Sequence, residues 1–194
     1  MQLSDLDLTQ TYSYADYLKW HLDERIELIK GKIFKMSPAP GTIHQKVSGK
    51  IYLELGIYLK GKPCLVFSAP FDVRLPRKST EDTTIYTVVQ PDICVICDST
   101  KIDDRGCVGA PDIVVEILSP GNNQKELKNK FEAYEEAFVK EYWIIHPTEQ
   151  TFLKYVLSDD NKFQAERPLT VGDLVRTPLL PDFELILEEV FENL

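Results

Sequence analysis

The chain has 194 residues, of which 43% are hydrophobic, and this predicts a single domain over 1–194 with a well-packed core. The formal net charge of −9 argues against a protein that coats nucleic acid, because an acidic surface repels phosphate at long range. No apolar run approaches the ~18 residues of a membrane span, and residues 1–14 show no secretory signal, so we expect a cytoplasmic protein.

Hydrophobic periodicity and turn signals divide the chain into helices and strands. In chain order they predict a short helix over 14–21, a hairpin over 25–36, a helix over 42–59, strands over 64–75, 85–97 and 111–120, a helix over 124–138, a strand over 141–147, an antiparallel tail over 151–180, and a short final helix over 187–194. The polar stretches between them are interpreted as turns and loops, over 37–41, 76–84, 98–110 and 119–124.

The order of these elements favours a mixed sheet with helices packed against it, in an α/β or α+β domain. The strand over 111–120, the helix over 124–138 and the strand over 141–147 form a strand–helix–strand unit. Such a unit is expected to bring its two strands together in parallel through a right-handed crossover.

The four cysteines are expected to pack in the core rather than to bind metal. Cys94 and Cys97 form a CxxC pair inside the apolar segment ICVIC, which is typical of a buried strand. Residues three apart in a strand point to opposite faces, so these two thiols would not converge on one zinc ion. Cys64 and Cys107 show no ligand-like spacing either.

One charged residue, Glu116, interrupts the apolar strand segment Ile113–Leu118. A carboxylate buried among apolar side chains either has a raised pKa or meets a cation; a structural ion pair, or a strand edge that reaches solvent, would also account for it. The next helix offers a cation, because Lys130 flanks the apolar stripe and can extend its ammonium to the sheet edge, whereas Lys128 points towards solvent. That stripe comprises Leu127, Phe131, Tyr134 and Phe138.

Asp92 is the best partner for Glu116, because it opens another apolar strand and would face Glu116 if the two strands are neighbours. Two acids and a lysine at the end of a sheet are a standard site for metal-dependent phosphoester hydrolysis, in which the acids hold Mg²⁺ and the lysine stabilises negative charge. Asp112 shares the face of Glu116 but lies roughly 13 Å along the strand, too far to share one ion, so we place it at the start of the strand or in a supporting role. Asp72 is a further candidate beside Asp92.

Several segments of the sequence, taken in order and with their spacing, resemble the bacterial Uma-two family of restriction-endonuclease-like proteins, in the PD-(D/E)XK nuclease superfamily. The resemblance covers roughly residues 12–194 and implies a restriction-endonuclease-like core, with a mixed central sheet flanked by helices, an N-terminal hairpin and a C-terminal antiparallel extension. The segments are IELIKGKIFKMSP, HQKVSGKI, APFDVRL, QPDICVI, GAPDIVVEILSP, KNKFEAYEEAFVKEYWIIHP and LLPDFELILEEVF.

The resemblance also implies DNA hydrolysis that depends on Mg²⁺ or Mn²⁺. In it, Asp92 matches the first acid and Glu116 the (D/E) position, and these two are the implied metal ligands. The third motif residue departs from the superfamily, since Leu118 stands where a lysine is usual, and Lys130 matches a lysine moved to the following helix. Glu27 matches a frequent acid of the family.

Two functions therefore stand at this point. One is a metal-dependent endonuclease with Asp92, Glu116, Lys130 and Glu27 as its site residues and DNA as its substrate, favoured by the complete residue set. The other is a catalytically inactive module that binds nucleic acid or protein, favoured by the acidic balance and the missing lysine. Glu27 could instead be a solvated strand residue, and His44, at the start of the long helix, could contact phosphate. A homodimer is expected only by analogy with the superfamily.

Overall fold

The structure, a computed structural model, describes residues 2–36, 41–119 and 124–194, so the predicted loop residues 37–40 and 120–123 lie outside it. The described strands are β1 (Ile26–Ile29), β2 (Lys32–Lys35), β3 (Leu65–Ser68), β4 (Val73–Arg74), β5 (Val88–Val89), β6 (Ile93–Ile96), β7 (Ile102–Asp103), β8 (Gly106–Val108), β9 (Ile113–Ile117), β10 (Glu141–His146), β11 (Thr151–Leu157), β12 (Phe163–Ala165), β13 (Leu169–Thr170), β14 (Leu174–Val175) and β15 (Leu185–Ile186). The described α-helices are α1 (Tyr14–Tyr17), α2 (Thr42–Leu59), α3 (Gln124–Glu136) and α4 (Leu187–Phe191). None of these helices is long and apolar enough to cross a membrane.

The strands form two large mixed sheets and one small antiparallel pair. The first sheet has the order β2-β1-β5-β4-β8-β7, and the second has the order β12-β11-β10-β9-β6-β3, with β13 also paired to β11. Strands β9 and β10 run parallel, as the strand–helix–strand unit predicted, and β4 and β8 are parallel as well. The α+β class, the N-terminal hairpin and the C-terminal antiparallel strands are thereby confirmed.

The second sheet is buried on both faces, and this decides what Glu116 meets. One face packs Val115, Ile117 and Trp143 against α2 and α4. The opposite face packs Val114 and Tyr142 against α3 and the first sheet. Because successive strand residues alternate between faces, Glu116 shares the face of Val114 and points towards α3. Tyr142 and Trp143 are fully buried, as predicted.

The two strands predicted over 64–75 and 85–97 are each divided between the two sheets. The halves farther from the connecting loop 76–84, β3 and β6, pair in the second sheet. The halves nearer to that loop, β4 and β5, pair in the first. Each break falls at a proline, Pro70 or Pro91, which has no N–H to donate to a ladder. One long hairpin therefore links both sheets.

The stretch 98–110, predicted as a loop, contains the strands β7 and β8, so that prediction is wrong in this part. These strands are only two and three residues long, and β8 is held by parallel pairing to the distant β4, which no local pattern reveals. Gly106 has φ +121°. The backbone of Asp72, just before β4, comes so close that a Cβ added at Gly106 would lie 2.2 Å from the Asp72 carbonyl oxygen.

The long helices match their predicted ranges more closely than the short one does. Helix α2 has the predicted bounds, and α3 ends two residues early because Phe138 adopts a left-handed φ of 64°. The helix predicted over 14–21 is only the single turn α1. After that turn the chain bends so that Trp20 packs edge-on against Tyr12, with ring centroids 4.9 Å apart.

All four cysteines pack in or against the core, as predicted, but two of them also form a disulfide that was not predicted. Cys94 and Cys107 are buried free thiols. Cys64 directly precedes Leu65, and Cys97 directly follows Ile96. Because Leu65 and Ile96 lie opposite each other in the antiparallel pair β3–β6, the two cysteines are opposite each other as well and form a disulfide. Their separation of 33 residues concealed this cross-strand contact in the sequence.

Two glycine substitutions test this packing in opposite directions. Gly106→Ala should lower the free energy of unfolding by at least about 2 kcal/mol, because the new methyl group meets a backbone carbonyl at a strained φ. Gly49→Ala, in α2 with nothing within 4 Å of the added Cβ, should raise it by about 0.5–1 kcal/mol. Urea denaturation of both variants measures this, and equal stability of the two would contradict the packing described.

Candidate active site

Two carboxylates, those of Asp92 and Glu116, lie opposite each other at one end of the second sheet. Strands β6 and β9 run antiparallel with Ile93 opposite Val115, and the same register continued by one residue places Asp92 opposite Glu116. The Asp92 carboxylate accepts a hydrogen bond from the backbone of Ile117, the residue after Glu116, and its charge acts on Glu116. The structure thus brings together the two acids that the sequence proposed as partners.

Asp92 is held by two contacts to its Oδ2 atom. The backbone N–H of Ile117 donates to this oxygen at 2.7 Å, and Nε2 of His44 lies 3.2 Å from it. His44 is buried in the first turn of α2, one turn before the core residue Val47. These contacts tie the orientation of the carboxylate to both the sheet and the long helix.

Glu116 is held by two donors from α3 on its Oε1 atom. Nζ of Lys130 lies 3.0 Å away, and the hydroxyl of Tyr134 donates at 2.7 Å. The two donors are four residues apart, so they stand on the same face of the helix, one turn apart. Sequence reasoning placed Tyr134 only in the apolar stripe and missed this role. Its i+4 spacing from Lys130 is the signal that could have revealed it.

Glu27 joins the same group from the first sheet. Its Oε1 atom lies 3.0 Å from Nζ of Lys130 and accepts the backbone N–H of Gln90 at 2.7 Å. Glu27 is only 1% exposed, which excludes the alternative of a solvated strand residue. One ammonium therefore bridges carboxylates from both sheets, and all four predicted site residues lie in one cluster.

Comparison with known proteins assigns this chain to a family. The Uma2 family model, described as "Putative restriction endonuclease", matches residues 14–188, which include all four residues. The chain belongs to the Uma2 family. An "Uncharacterized protein slr1290" of Synechocystis sp. (strain ATCC 27184 / PCC 6803 / Kazusa) is 24% identical over 151 residues, which cover 76% of this chain and 75% of that protein.

The fold also has a solved counterpart. The crystal structure of "a putative nuclease belonging to DUF820" from Anabaena variabilis ATCC 29413 matches with a TM-score of 0.73 and 21% identity. The match covers 93% of this chain and 97% of that one. The architecture described above is therefore shared between these two chains.

The acidic cluster of this Uma2-family chain contains more acidic than basic side chains. The carboxylates of Glu116 and Glu27 contact the Lys130 ammonium, and that of Asp92 contacts the His44 ring, so three acids meet two basic groups. Burial raises the pKa of Glu116, Lys130 lowers it, and the charges of Asp92 and Glu27 raise it again, to about 7. The carboxylate is thus poised between its two protonation states near neutral pH.

The two basic groups of the cluster respond to the same charges. Burial opposes protonation of Lys130, but Glu116 and Glu27 outweigh it and hold the lysine pKa well above its usual value. Burial likewise opposes protonation of His44, yet its hydrogen bond to Asp92 and the charge of that carboxylate raise the His44 pKa. Both groups are therefore stabilised as cations by the neighbouring carboxylates.

Two buried polar atoms at this site have no hydrogen-bond partner among the residues that the structure describes. They are Oε2 of Glu27 and Nδ1 of His44. Over the same residues, no group of three or more His, Cys, Asp and Glu side chains is arranged to hold a metal ion by itself. The carboxylates of Asp92 and Glu116 are the available oxygen donors. They fit Mg²⁺, which is commonly bound through one or two carboxylates together with water and substrate phosphate.

The remaining candidates lie away from the paired acids. Asp112 stands at the start of β9, where its carboxylate accepts the backbone N–H of Cys97 and pairs with Lys140, both at 2.7 Å. Asp72 accepts a 2.7 Å hydrogen bond from Gln90 rather than facing Asp92.

Leu118 and Lys128 contribute no charge to the acidic cluster. Leu118 packs in the core on the face of Glu116, and the ammonium beside Glu116 comes instead from Lys130. The side chain of Lys128 is 76% exposed, as predicted.

The raised pKa of Glu116 makes stability depend on pH. Between the ordinary carboxyl pKa of 4.5 and the folded value of about 7, the folded protein binds a proton that the unfolded chain releases. The free energy of unfolding should therefore fall as pH rises through this window, and Glu116→Gln should flatten that fall. Urea denaturation with a chelator at pH 5, 6, 7 and 8 measures the slope.

The control for this experiment is Glu132→Gln, which neutralises a half-exposed carboxylate on α3 and should keep the wild-type slope. Identical slopes for Glu116→Gln and the wild type would show that Glu116 does not titrate in this range.

Proposed function

We propose that this Uma2-family protein is an endonuclease that hydrolyses DNA phosphodiester bonds with the help of Mg²⁺ or Mn²⁺. The observation that carries the proposal is the pairing of Asp92 and Glu116 across β6 and β9, beside a buried lysine and with an excess of negative charge. Structural ion pairs would need one acid for each base, and this cluster has three acids for two bases, Lys130 and His44. Membership of a family described as "Putative restriction endonuclease" supports the same function.

Asp92 and Glu116 would hold the divalent cation. Each carboxylate receives its described donors on a single oxygen, Oδ2 in Asp92 and Oε1 in Glu116, so we infer that the second oxygen of each is presented to the ion. When bound, the cation would polarise the phosphate and acidify a water molecule. It would also offset the repulsion between this acidic chain and DNA.

The other residues of the cluster would position these two ligands. The Lys130 ammonium and the Tyr134 hydroxyl orient the Glu116 carboxylate, and Glu27 in turn holds Lys130 in place. His44 does the same for Asp92. Such supporting contacts commonly change metal affinity or activity by about 10–100-fold when they are removed. Lys130 would also supply positive charge next to the phosphate, in place of the lysine absent at Leu118.

Cleavage of DNA is the direct test. The wild type should cut supercoiled plasmid or oligonucleotide DNA with Mg²⁺ or Mn²⁺, and Asp92→Asn, Glu116→Gln and Lys130→Met should each lose at least about 100-fold in rate. Lys128→Met is the matched control, because it removes an exposed lysine from the same helix and should leave the rate unchanged. Equal rates for the wild type and the cluster variants, or no cleavage with either ion, would favour the inactive binding module.

Metal binding can be tested without any substrate. At 100 times its dissociation constant, Mn²⁺ should stabilise the wild type by about 2.7 kcal/mol, which corresponds to a rise of about 5–10 °C in Tm for a chain of this size. Asp92→Asn and Glu116→Gln should lose this rise. Asp112→Asn, at the other end of β9, should keep it even though its own Tm falls. A rise that persists in the first two variants would place the ion elsewhere.

A further inference from the structure

A small cavity opens beside the acidic cluster, between the N-terminal segment and β1. Its volume is about 190 Å³, and its walls include the rings of Tyr17 and Trp20 and the polar side chains of Glu24, Arg25 and Gln90. Cavities that hold a complete drug-sized ligand usually measure about 300–1,000 Å³. This one has room for a single flat ring system rather than for a whole ligand.

The cavity is linked to the proposed active site through Gln90. Gln90 lines the cavity and donates its backbone N–H to Glu27, and it stands two residues, or at most ~7 Å of chain, before Asp92. Burial and then the charges of Asp72, Tyr14 and Glu27 raise the pKa of Tyr17 to about 12. A group seated in the cavity would therefore lie next to a phosphate held at Asp92.

The polar wall of the cavity is rigid and nearly balanced in charge. The Gln90 amide accepts a 2.6 Å hydrogen bond from Arg25 and donates a 2.7 Å one to Asp72, so its orientation is fixed from both ends. Glu24 and Arg25 contribute one charge of each sign. The carboxylates of Glu24 and Asp72 would repel a phosphate, whereas a neutral ring with polar edges meets matching donors and acceptors.

The aromatic rings are only partly used by the fold. Trp20 packs edge-on against Tyr12, and Tyr17 stacks on Tyr14 at a centroid distance of 5.7 Å, but both cavity-lining rings stay partly exposed. Partly exposed aromatic rings with an adjacent guanidinium are the groups on which single-stranded nucleic acids stack their bases.

We propose that this cavity binds one unpaired base of the DNA strand, the base next to the phosphate at the active site, and this proposal rests on the nuclease function proposed above. A base paired inside a duplex cannot enter such a cavity without leaving the stack. The protein should therefore prefer DNA that is single-stranded, frayed or able to extrude a base. The contacts to the base are stacking on Trp20 and Tyr17 and hydrogen bonding to Arg25.

Intrinsic fluorescence tests base binding independently of catalysis. The chain has two tryptophans, and Trp143 is fully buried, so a change on adding DNA reports Trp20. In a chelator at low salt, a single-stranded oligodeoxythymidylate of about twelve nucleotides should quench the wild type, and a blunt duplex of the same length should not. Quenching that is absent, or equal with both probes, would overturn the proposal.

Affinities of the same labelled oligonucleotide, measured by fluorescence anisotropy, identify the residues. Trp20→Leu should weaken binding roughly 5- to 150-fold, the usual effect of removing one stacking ring, and Arg25→Ala should weaken it as well. Trp20→Phe keeps a ring and should keep most of the affinity, which decides the matter if Trp20→Leu does not fold. Tyr86→Leu removes an exposed ring outside this cavity and is the control for unchanged affinity.

The two proposals fail in different ways. If Asp92 and Glu116 are needed for cleavage but Trp20→Leu and Arg25→Ala bind the oligonucleotide like the wild type, the base-binding cavity is wrong and the nuclease stands. If no DNA is cut with any cation, yet single strands quench Trp20, the nuclease is wrong and the cavity binds a base in a protein without that activity.

Discussion

A single buried ammonium, Nζ of Lys130, is the interaction on which the arrangement of this protein depends. It lies 3.0 Å from both Glu116 and Glu27, on a side chain that is only 5% exposed. A buried charge is tolerated only where opposite charges and hydrogen bonds surround it, and removing one partner of such a pair typically costs about 3–5 kcal/mol. The three residues come from α3, β9 and β1, so this one contact ties a helix to both sheets.

The same contact leaves a deficit of positive charge that bears on function. Lys130 and His44 cannot compensate three carboxylates, and burial together with the charges of Asp92 and Glu27 raises the pKa of Glu116 to about 7. Carboxyl groups with strongly shifted pKa values cluster at functional sites. The fold thus holds an electrostatic imbalance between Asp92 and Glu116 that a divalent cation would relieve, and it holds their orientations with groups that belong to the core.

The long hairpin that passes through both sheets explains why the site and the aromatic cavity are neighbours. Its prolines break each strand, and the residues around the second break serve both features. The Gln90 backbone binds Glu27, the Gln90 side chain lines the cavity, and Asp92 follows two residues later. A displacement of this turn would move the acidic cluster and the cavity together.

Much of the fold and most of the cluster could be predicted from the sequence. The period-four recurrence from Ile43 to Leu55 predicted α2 with its observed bounds. An isolated glutamate in an apolar strand was sufficient to single out Glu116, because burial of an unpaired carboxylate is so unfavourable that the exception draws attention. Lys130 was found from helical geometry, since a flanking lysine can extend along an apolar stripe to the sheet. These inferences succeeded because they depend on chemistry within one element or between adjacent ones.

The tertiary structure alone decided which residues distant in the chain come into contact. The burial of Glu27, the cross-strand Cys64–Cys97 disulfide and the pairing of β8 with β4 depend on which strands become neighbours, and no local pattern encodes that choice. The hydroxyl of Tyr134 belongs to the same class, because an apolar stripe does not reveal which polar atom its aromatic ring will meet. Periodicity specifies the faces of an element, whereas the partner of each face is set by the free energy of packing the whole chain.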